Sequence, residues 1–398
     1  MLQGVAFIRV KNQEKAYYWL YNTLCLMKSR LLRLLPLFIF TVSCQLCLEQ
    51  LNNRISPIVT GFGNQLTADI KNDNLQGSIS VAILKNNHVI WAGAFGSASR
   101  DRNVAADTNT IYRIGSITKT FTATLMMMLV EEGKLKLDDP VENYLPEIKN
   151  LNGYASAGKI TFRQLASHTS GLKREPDMGG ANVGPDSLWE NKLLSCIPNT
   201  SFNSKPGQEY LYSNIGYAIL GMALSRVSGV PYLQMVHERI LTPLHMEDTF
   251  FELPEGKSAR LAQGMENTEG EVNIKLPLRE VKGRGYRVPN GGIFSTPRDL
   301  AKFVMSINGQ LSLLTGKSRR QMQSIPNGGK NYGLGLMIVN KRDLDVIGHN
   351  GSVPGYTAQF AIEQQSGYGV ILMRNYNKGS TNLEAVSLNL LRQLKQAD

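Results

Sequence analysis

The sequence predicts an α+β fold: an antiparallel sheet of N- and C-terminal strands, flanked by the terminal helices, with a large and mainly helical insertion. Three observations carry that expectation. Short β-like runs occur towards both ends of the chain, at about 78–95 and about 333–374. Between about 115 and 330 the character changes to helical runs and long loops rich in Gly, Pro and Asn. Hydrophobic residues make up 42% of the 398 and charged residues 19%, a balance that excludes wholesale disorder. Strands from both ends can share one sheet, with the middle of the chain inserted between them.

Residues 1–43 read as an N-terminal extension and signal sequence, and 44–398 as the folded domain. Met27-Lys28-Ser29-Arg30 opens a basic stretch that ends at Arg33, and the uncharged run Leu34–Cys44 follows. A basic start and an apolar segment of about ten residues are what a secretory signal needs, and the run is short for a bilayer span. A signal normally begins at the initiator, which makes Met27 an alternative start to Met1. Thr41-Val42-Ser43-Cys44 resembles the lipobox of bacterial lipoproteins, with Thr41 where that pattern prefers Leu. Acylation of Cys44 would supply a membrane tether; plain secretion or an uncleaved anchor are the other readings. Each places the protein in the periplasm or at the cell envelope.

The remaining elements follow in order. Ile58, Phe62, Leu66 and Ile70 recur every four residues and predict an amphipathic helix over 55–74. Ser78–Leu84 and His88–Phe95 predict two strands, joined at Lys85-Asn86-Asn87 as a hairpin. Gly333–Asn340, Asp343–Gly348, Tyr356–Ile362 and Gly369–Arg374 predict four more, and Leu383–Gln396 a closing helix. The sheet thus draws on about 55–114 and 331–398, the helical region on about 115–330, and an active site would lie between them.

Charge and cysteine usage narrow the function. The net charge is +11, and residues 1–43 carry +5 of it; the remaining charge is scattered and forms no block or helix face, so no nucleic-acid partner is expected. Four cysteines, at 25, 44, 47 and 196, make no disulfide framework for a chain this long. Cys44-Gln-Leu-Cys47 lacks a second ligand pair, and His237-Glu238 is followed by Leu241 where a zinc motif needs its second His. No metal or cofactor is expected.

A serine nucleophile is. The pattern S-x-x-K occurs three times, at Ser116/Lys119, Ser156/Lys159 and Ser170/Lys173. Ser156 sits in a loop-like stretch and Ser170 is followed at once by Gly171, a poor helix start. Ser116 alone precedes a long apolar run, Phe121–Val130, that stops near Gly133. A serine at the start of a buried helix sits where free N–H groups and the helix dipole favour developing negative charge. A lysine one turn on, once desolvated, loses its proton readily and can serve as a base.

Two further motifs follow in order: Tyr212-Ser213-Asn214 before a helical run Ile215–Val227, and His349-Asn350-Gly351-Ser352 between strand-like runs. The trio resembles the serine β-lactamase and penicillin-binding protein family, in its class C and D-Ala-D-Ala carboxypeptidase-like branch. Ile111–Ser116, Leu165–Leu172, Pro206–Asn214 and Gly291–Leu300 extend the resemblance over most of 75–375. The resemblance implies a β-lactamase/transpeptidase-like fold and hydrolysis of an amide or ester through an acyl-enzyme on Ser116. Lys119 would be the base and Tyr212 the proton relay. Asn214 would steady Lys119 and the substrate carbonyl. His349, Asn350, Gly351 and Ser352 would form the substrate-binding strand, with the N–H groups of Ser116 and Ser352 as the oxyanion hole. The substrate would be a small molecule or a peptidoglycan-like peptide.

The third motif departs from the family pattern. His349 stands where a Lys is usual, and Asn350 replaces the usual Thr. The expectation is that an imidazole titrating within a unit or so of 6.5 meets a substrate carboxylate in place of a fixed ammonium. That weakens the case for β-lactam turnover and leaves esters, D-amino-acid peptides and amides. A non-catalytic, penicillin-binding or wall-sensing envelope protein is the competing class.

Overall fold

The computed structural model describes residues 54–398 apart from 269–270, 310, 312 and 378. The signal reading, the start at Met27 and the tether at Cys44 lie outside the described residues. Helix α1 spans 54–73. Strands β1 (Ser78–Lys85), β2 (His88–Ser99) and β3 (Val104–Ala105) come from the N-terminal part, and β4 (Met337–Lys341), β5 (Leu344–Val353), β6 (Tyr356–Glu363) and β7 (Tyr368–Arg374) from the C-terminal part. They form one seven-stranded sheet in the order β3-β2-β1-β7-β6-β5-β4. Its seam joins strands almost three hundred residues apart: β1 pairs antiparallel with β7 from Ile79↔Arg374 to Lys85↔Tyr368. The β1–β2 hairpin closes at Asn86-Asn87, and Asn86 takes φ 52°, a conformation asparagine tolerates better than most residues.

β1 is buried from Ser78 to Leu84, so the sheet is covered on both faces. Alternation sorts its side chains. Ala82 and Leu84 join the large core shared with the insertion, while Ile79, Val81 and Ile83 point the other way. The insertion contributes three long helices: α2 (Thr118–Glu131), α3 (Asn214–Ser228) and α4 (Pro297–Asn308). α5 (Leu383–Ala397) closes the chain. α4 lies against β1, β2, β6 and β7.

α2 is buried from Thr118 to Leu129, which is unusual for a helix carrying four threonines and a lysine. Its hydroxyls are satisfied internally: Thr124 Oγ1 donates to Thr120 O, Thr120 Oγ1 to Gly335 O, and Thr122 Oγ1 reaches Pro289 O and Tyr232. Such pairing removes the cost of orphaned polar groups. The three consecutive methionines, Met126 to Met128, fill core space. α3 starts where Ser213 Oγ accepts from Gly216 N and stops at Gly229, φ 72°.

Three local readings change. The strand expected from Gly333 begins only at Met337. Gly335 turns at φ 73° and donates its N–H to Ala166 O, and a Cβ at Gly333 would meet Met322 O at 2.1 Å, so the segment packs on the insertion instead of pairing. β5 runs on through the third motif to Val353, where the sequence suggests a break after Gly348. Ser156 lies in a one-turn helix, Tyr154–Ala157, held between two left-handed glycines, Gly153 and Gly158.

Under the turn that leads to Ser116 lies a buried charge cluster. Arg113 Nη1 is 3.5 Å from Glu280 Oε2, Arg284 Nε is 3.1 Å from the same oxygen, and all three side chains are buried. Arg284 N also donates to Asp186 Oδ1 at 2.8 Å. Removing one partner from a buried ionic cluster leaves uncompensated charge. Glu280→Gln is therefore expected to destabilise the protein by about 3–5 kcal/mol, read as a lower midpoint in urea unfolding; a shift of less than 1 kcal/mol would contradict this role.

Candidate active site

Ser116 stands in the 3₁₀ turn Gly115–Ile117, directly ahead of α2. Lys119 follows in the first turn of α2, fully buried, with Nζ 3.1 Å from Ser116 Oγ. Two carbonyl oxygens take the rest of its reach: Asn214 Oδ1 at 2.8 Å and the backbone oxygen of Asn290 at 2.9 Å. Burial drives the lysine pKa well below its ordinary value, and the nearby Arg174 guanidinium pushes the same way. A neutral amine has two N–H donors and one lone pair. In that neutral form the two carbonyls use the donors, and the lone pair is left for the Ser116 hydroxyl proton.

The other two S-x-x-K pairs do not come together. Ser156 Oγ donates to Gly153 O and Lys159 pairs with Glu142. Ser170 Oγ is buried without a hydrogen-bond partner, while Lys173 pairs with Asp177.

Tyr212 is brought to the same point by the loop that caps α3. It lines the same pocket as Ser116, whose side chain influences the Tyr212 hydroxyl, and its ring lies over Lys119 Nζ at 4.9 Å. Burial pushes its pKa up, which keeps the phenol protonated at neutral pH. His168 packs its ring against Tyr212 at 4.1 Å, and its Nδ1 accepts from Ser213 N at 3.0 Å. Neither His168 Nε2 nor Ser170 Oγ has a partner, so they form no catalytic pair. His168 serves as packing for the Tyr212 loop.

Asn214 is oriented from behind. Its Nδ2 donates to Glu175 Oε1 at 2.6 Å, which fixes the amide with its oxygen towards Lys119. Glu175 in turn pairs with Arg287 at 2.9 Å and accepts from Tyr286 Oη. Asn290 Nδ2 donates to Asn214 O at 3.0 Å and closes the ring of contacts.

The third motif reaches Ser116 through backbone contact. A Cβ at Gly351 would meet Ile114 O at 1.9 Å and Ser116 N at 3.0 Å, and one at Gly115 would meet Ser352 N at 2.9 Å. Gly115 also needs φ 52°. Two glycines thus let β5 press on the nucleophile turn, with the N–H groups of Ser116 and Ser352 close together. Pairing of β5 with β4 stops at Gly348, so the edge of Asn350–Ser352 opposite β6 is left to the turn and the pocket. The pocket, about 320 Å³, is lined by Ser116, Tyr212, Asn350 and Ser352 with Arg174, Tyr210, Tyr332 and Met337.

His349 departs from expectation. It is fully buried and does not line the pocket. Tyr332 Oη is 2.7 Å from Nε2 and the Asn350 carbonyl 2.5 Å from Nδ1. The carbonyl can only accept, so Nδ1 carries the proton and Nε2 accepts from Tyr332. Desolvation pushes the imidazole pKa down to about 3. A neutral, enclosed ring cannot supply the carboxylate-binding charge that its place in the motif suggests. It ties β5 to Tyr332.

Glu175, Arg174, Tyr332 and the Asn290 carbonyl are site components that no motif announces. Arg174 and Glu175 directly follow Lys173 in the loop after Leu165–Leu172, and Asn290 immediately precedes Gly291–Leu300. Among the described residues no His/Cys/Asp/Glu group could hold a metal ion, and no helix is long and apolar enough to cross a membrane.

The chain matches the family described as Beta-lactamase over residues 66–393. It is 27% identical over 316 residues to "Protein flp" of Staphylococcus aureus, covering 78% of this chain but only 61% of that protein. Among solved structures, the octameric penicillin-binding protein homologue from Pyrococcus abyssi superposes with a TM-score of 0.72 at 27% identity, covering 85% of this chain and 77% of that one. A beta-lactamase/D-alanine carboxypeptidase from Yersinia pestis, complexed with citrate, gives 0.70 at 25% identity over 85% and 99%.

The neutrality of His349 carries a stability signature. The unfolded chain binds a proton at His349 below about pH 6.5, whereas the folded chain does so only near pH 3. The stability it contributes is complete above 6.5 and is lost as pH falls towards 3, at about 1.4 kcal/mol per pH unit. His349→Gln keeps an acceptor for Tyr332 and should make the loss between pH 6 and 4 shallower by that amount, read from urea midpoints; an unchanged slope would show that His349 is protonated in the folded protein.

Proposed function

The chain belongs to the Beta-lactamase family, and from that premise we propose that it is a serine hydrolase acting through a Ser116 acyl-enzyme on the amide or ester bond of a β-lactam, D-amino-acid peptide or ester. The observation that carries the reading is Lys119: a fully buried amine with its pKa pushed well down, held by two carbonyl acceptors with Nζ 3.1 Å from Ser116 Oγ.

The chemistry runs as follows. Lys119 Nζ takes the Ser116 hydroxyl proton while Oγ bonds to the substrate carbonyl carbon. The carbonyl oxygen becomes an oxyanion and is received by the N–H groups of Ser116 and Ser352, a preorganised pair worth ~3–4 kcal/mol per donor in the transition state. Collapse breaks the bond to the leaving amine or alkoxide, which takes a proton delivered from Lys119 through the Tyr212 hydroxyl. A water then gives a proton back along Tyr212 to Lys119 as its oxygen attacks the ester. Breakage of the ester bond returns the proton to Ser116 and frees the acid. No metal or cofactor takes part in this reading.

The environment of the third motif bears on the substrate. The neutral His349 provides no cation on β5 for a substrate carboxylate, whether of a β-lactam or of a D-peptide. Export belongs to the same proposal and rests on residues 28–44 of the sequence. Cleavage near Ser43–Cys44, with or without lipid on Cys44, is read by mass spectrometry of the mature protein.

A fluorophosphonate probe should label Ser116 and no other residue, and Ser116→Ala should abolish both labelling and turnover of short-chain esters. Lys119→Met should lower kcat/KM by roughly 10²–10⁴-fold. In the wild type, kcat/KM should rise with pH through the depressed Lys119 pKa and stay level towards pH 9, because the base form is the active one. Stoichiometric acylation without turnover would instead support a non-catalytic sensor.

A further inference from the structure

We infer that Arg174 is the specificity-determining residue that recognises a carboxylate on the substrate, taking over from the insertion side of the pocket the role that the third motif leaves vacant. The inference rests on the hydrolase reading for its reaction, and on geometry for its residue. Several groups near the site can carry positive charge, and of these His168 and Arg284 are buried and do not line the pocket. Lys119 is enclosed and committed to Asn214, Asn290 and Ser116. His349 is neutral and buried. Arg287 is paired with Glu175 at 2.9 Å and does not line the pocket.

Arg174 does line it, together with Ser116, Tyr212, Asn350 and Ser352, and its side chain is 65% exposed. It is also held in place. Its carbonyl accepts from Asn214 N at 2.9 Å, anchoring the backbone to the start of α3. Its guanidinium lies 4.9 Å from the centre of the Tyr212 ring, a cation–π contact that braces it beside the pocket. The nearest acid, Glu175, is 4.0 Å from Arg174 Nε and is already engaged by Asn214, Tyr286 and Arg287. An anchored, solvent-facing guanidinium beside the nucleophile is matched to the planar, two-oxygen geometry of a carboxylate, which it binds through two parallel N–H donors.

A matched pair tests this: N-acyl-D-alanyl-D-alanine and its C-terminal amide, which differ only in the carboxylate. Turnover of both is measured in wild type, Arg174→Gln and Arg174→Lys. Binding of both is measured by calorimetry in Ser116→Ala and in Ser116→Ala/Arg174→Gln, where no acylation occurs. The kcat/KM ratio of acid to amide should fall roughly 10–100-fold in Arg174→Gln. Arg174→Lys should retain part of it, since the ammonium keeps the charge and loses the fork. In the Ser116→Ala background the acid should bind more tightly than the amide, and Arg174→Gln should remove that preference. An unchanged ratio, an equal loss for both substrates, or no preference for the acid in Ser116→Ala would overturn the assignment while leaving hydrolysis intact. Turnover of neither substrate, nor of short-chain esters, together with Arg174-dependent binding of the acid would uphold Arg174 and overturn the hydrolase reading.

Discussion

The structure depends on keeping one lysine dry. Lys119 sits in the first turn of a helix buried on all sides, and an ammonium there must be desolvated at a cost of several kcal/mol. The chain meets this constraint by lowering the lysine's proton affinity and pairing its nitrogen with two neutral oxygens. Those oxygens come from separate places in the insertion, the cap of α3 and the segment before α4. Ser116, Lys119 and their supports are therefore assembled only when the helices pack.

A second layer holds the first. Glu175 fixes Asn214, Arg287 and Tyr286 fix Glu175, and the Arg113–Glu280–Arg284 cluster lies under the turn that carries Ser116. From the other side, β5 presses its backbone on the same turn through Gly351 and Gly115, where no other residue has room. The sheet and the insertion thus meet at Ser116 through backbone contact. This geometry brings the backbone nitrogens of Ser352 and Ser116 to one turn and leaves the Asn350–Ser352 edge of β5 unpaired by β4. The surrounding wall is aromatic, from Tyr210, Tyr212 and Tyr332, with Arg174 as the accessible charge.

How much of this can be read from the chain itself follows from the range of each interaction. The β1–β2 hairpin, α2 and the terminal helices are set by local periodicity and turn residues, and their limits fall within a few residues of what the pattern suggests. Ser116 and Lys119 are marked by an i, i+3 spacing ahead of an apolar run, and that spacing alone could not separate them from Ser156/Lys159 and Ser170/Lys173. The apolar run that follows Ser116 alone separates the pairs in the sequence, and the structure adds where the other two lysines go: Glu142 and Asp177 hold them elsewhere. Gly333–Leu336 has strand composition, yet it packs on Met322 and Ala166 because glycines permit the approach. His349 is the clearest case. Its identity suggests a titrating charge, while its environment, Tyr332 from 17 residues upstream and a fully buried site, makes it a neutral tie.

The state of Lys119 decides the account. Site-resolved ¹³C and ¹⁵N NMR of the lysine side chains, with Lys119 assigned by comparison with Lys119→Met, reports its protonation directly as pH is varied. The account predicts a Lys119 resonance that is in the neutral-amine state at pH 7 and titrates well below the other lysines, and that moves towards the ordinary range in Arg174→Gln. A Lys119 that remains an ammonium at pH 7 and titrates with the surface lysines near pH 10.4 would contradict it.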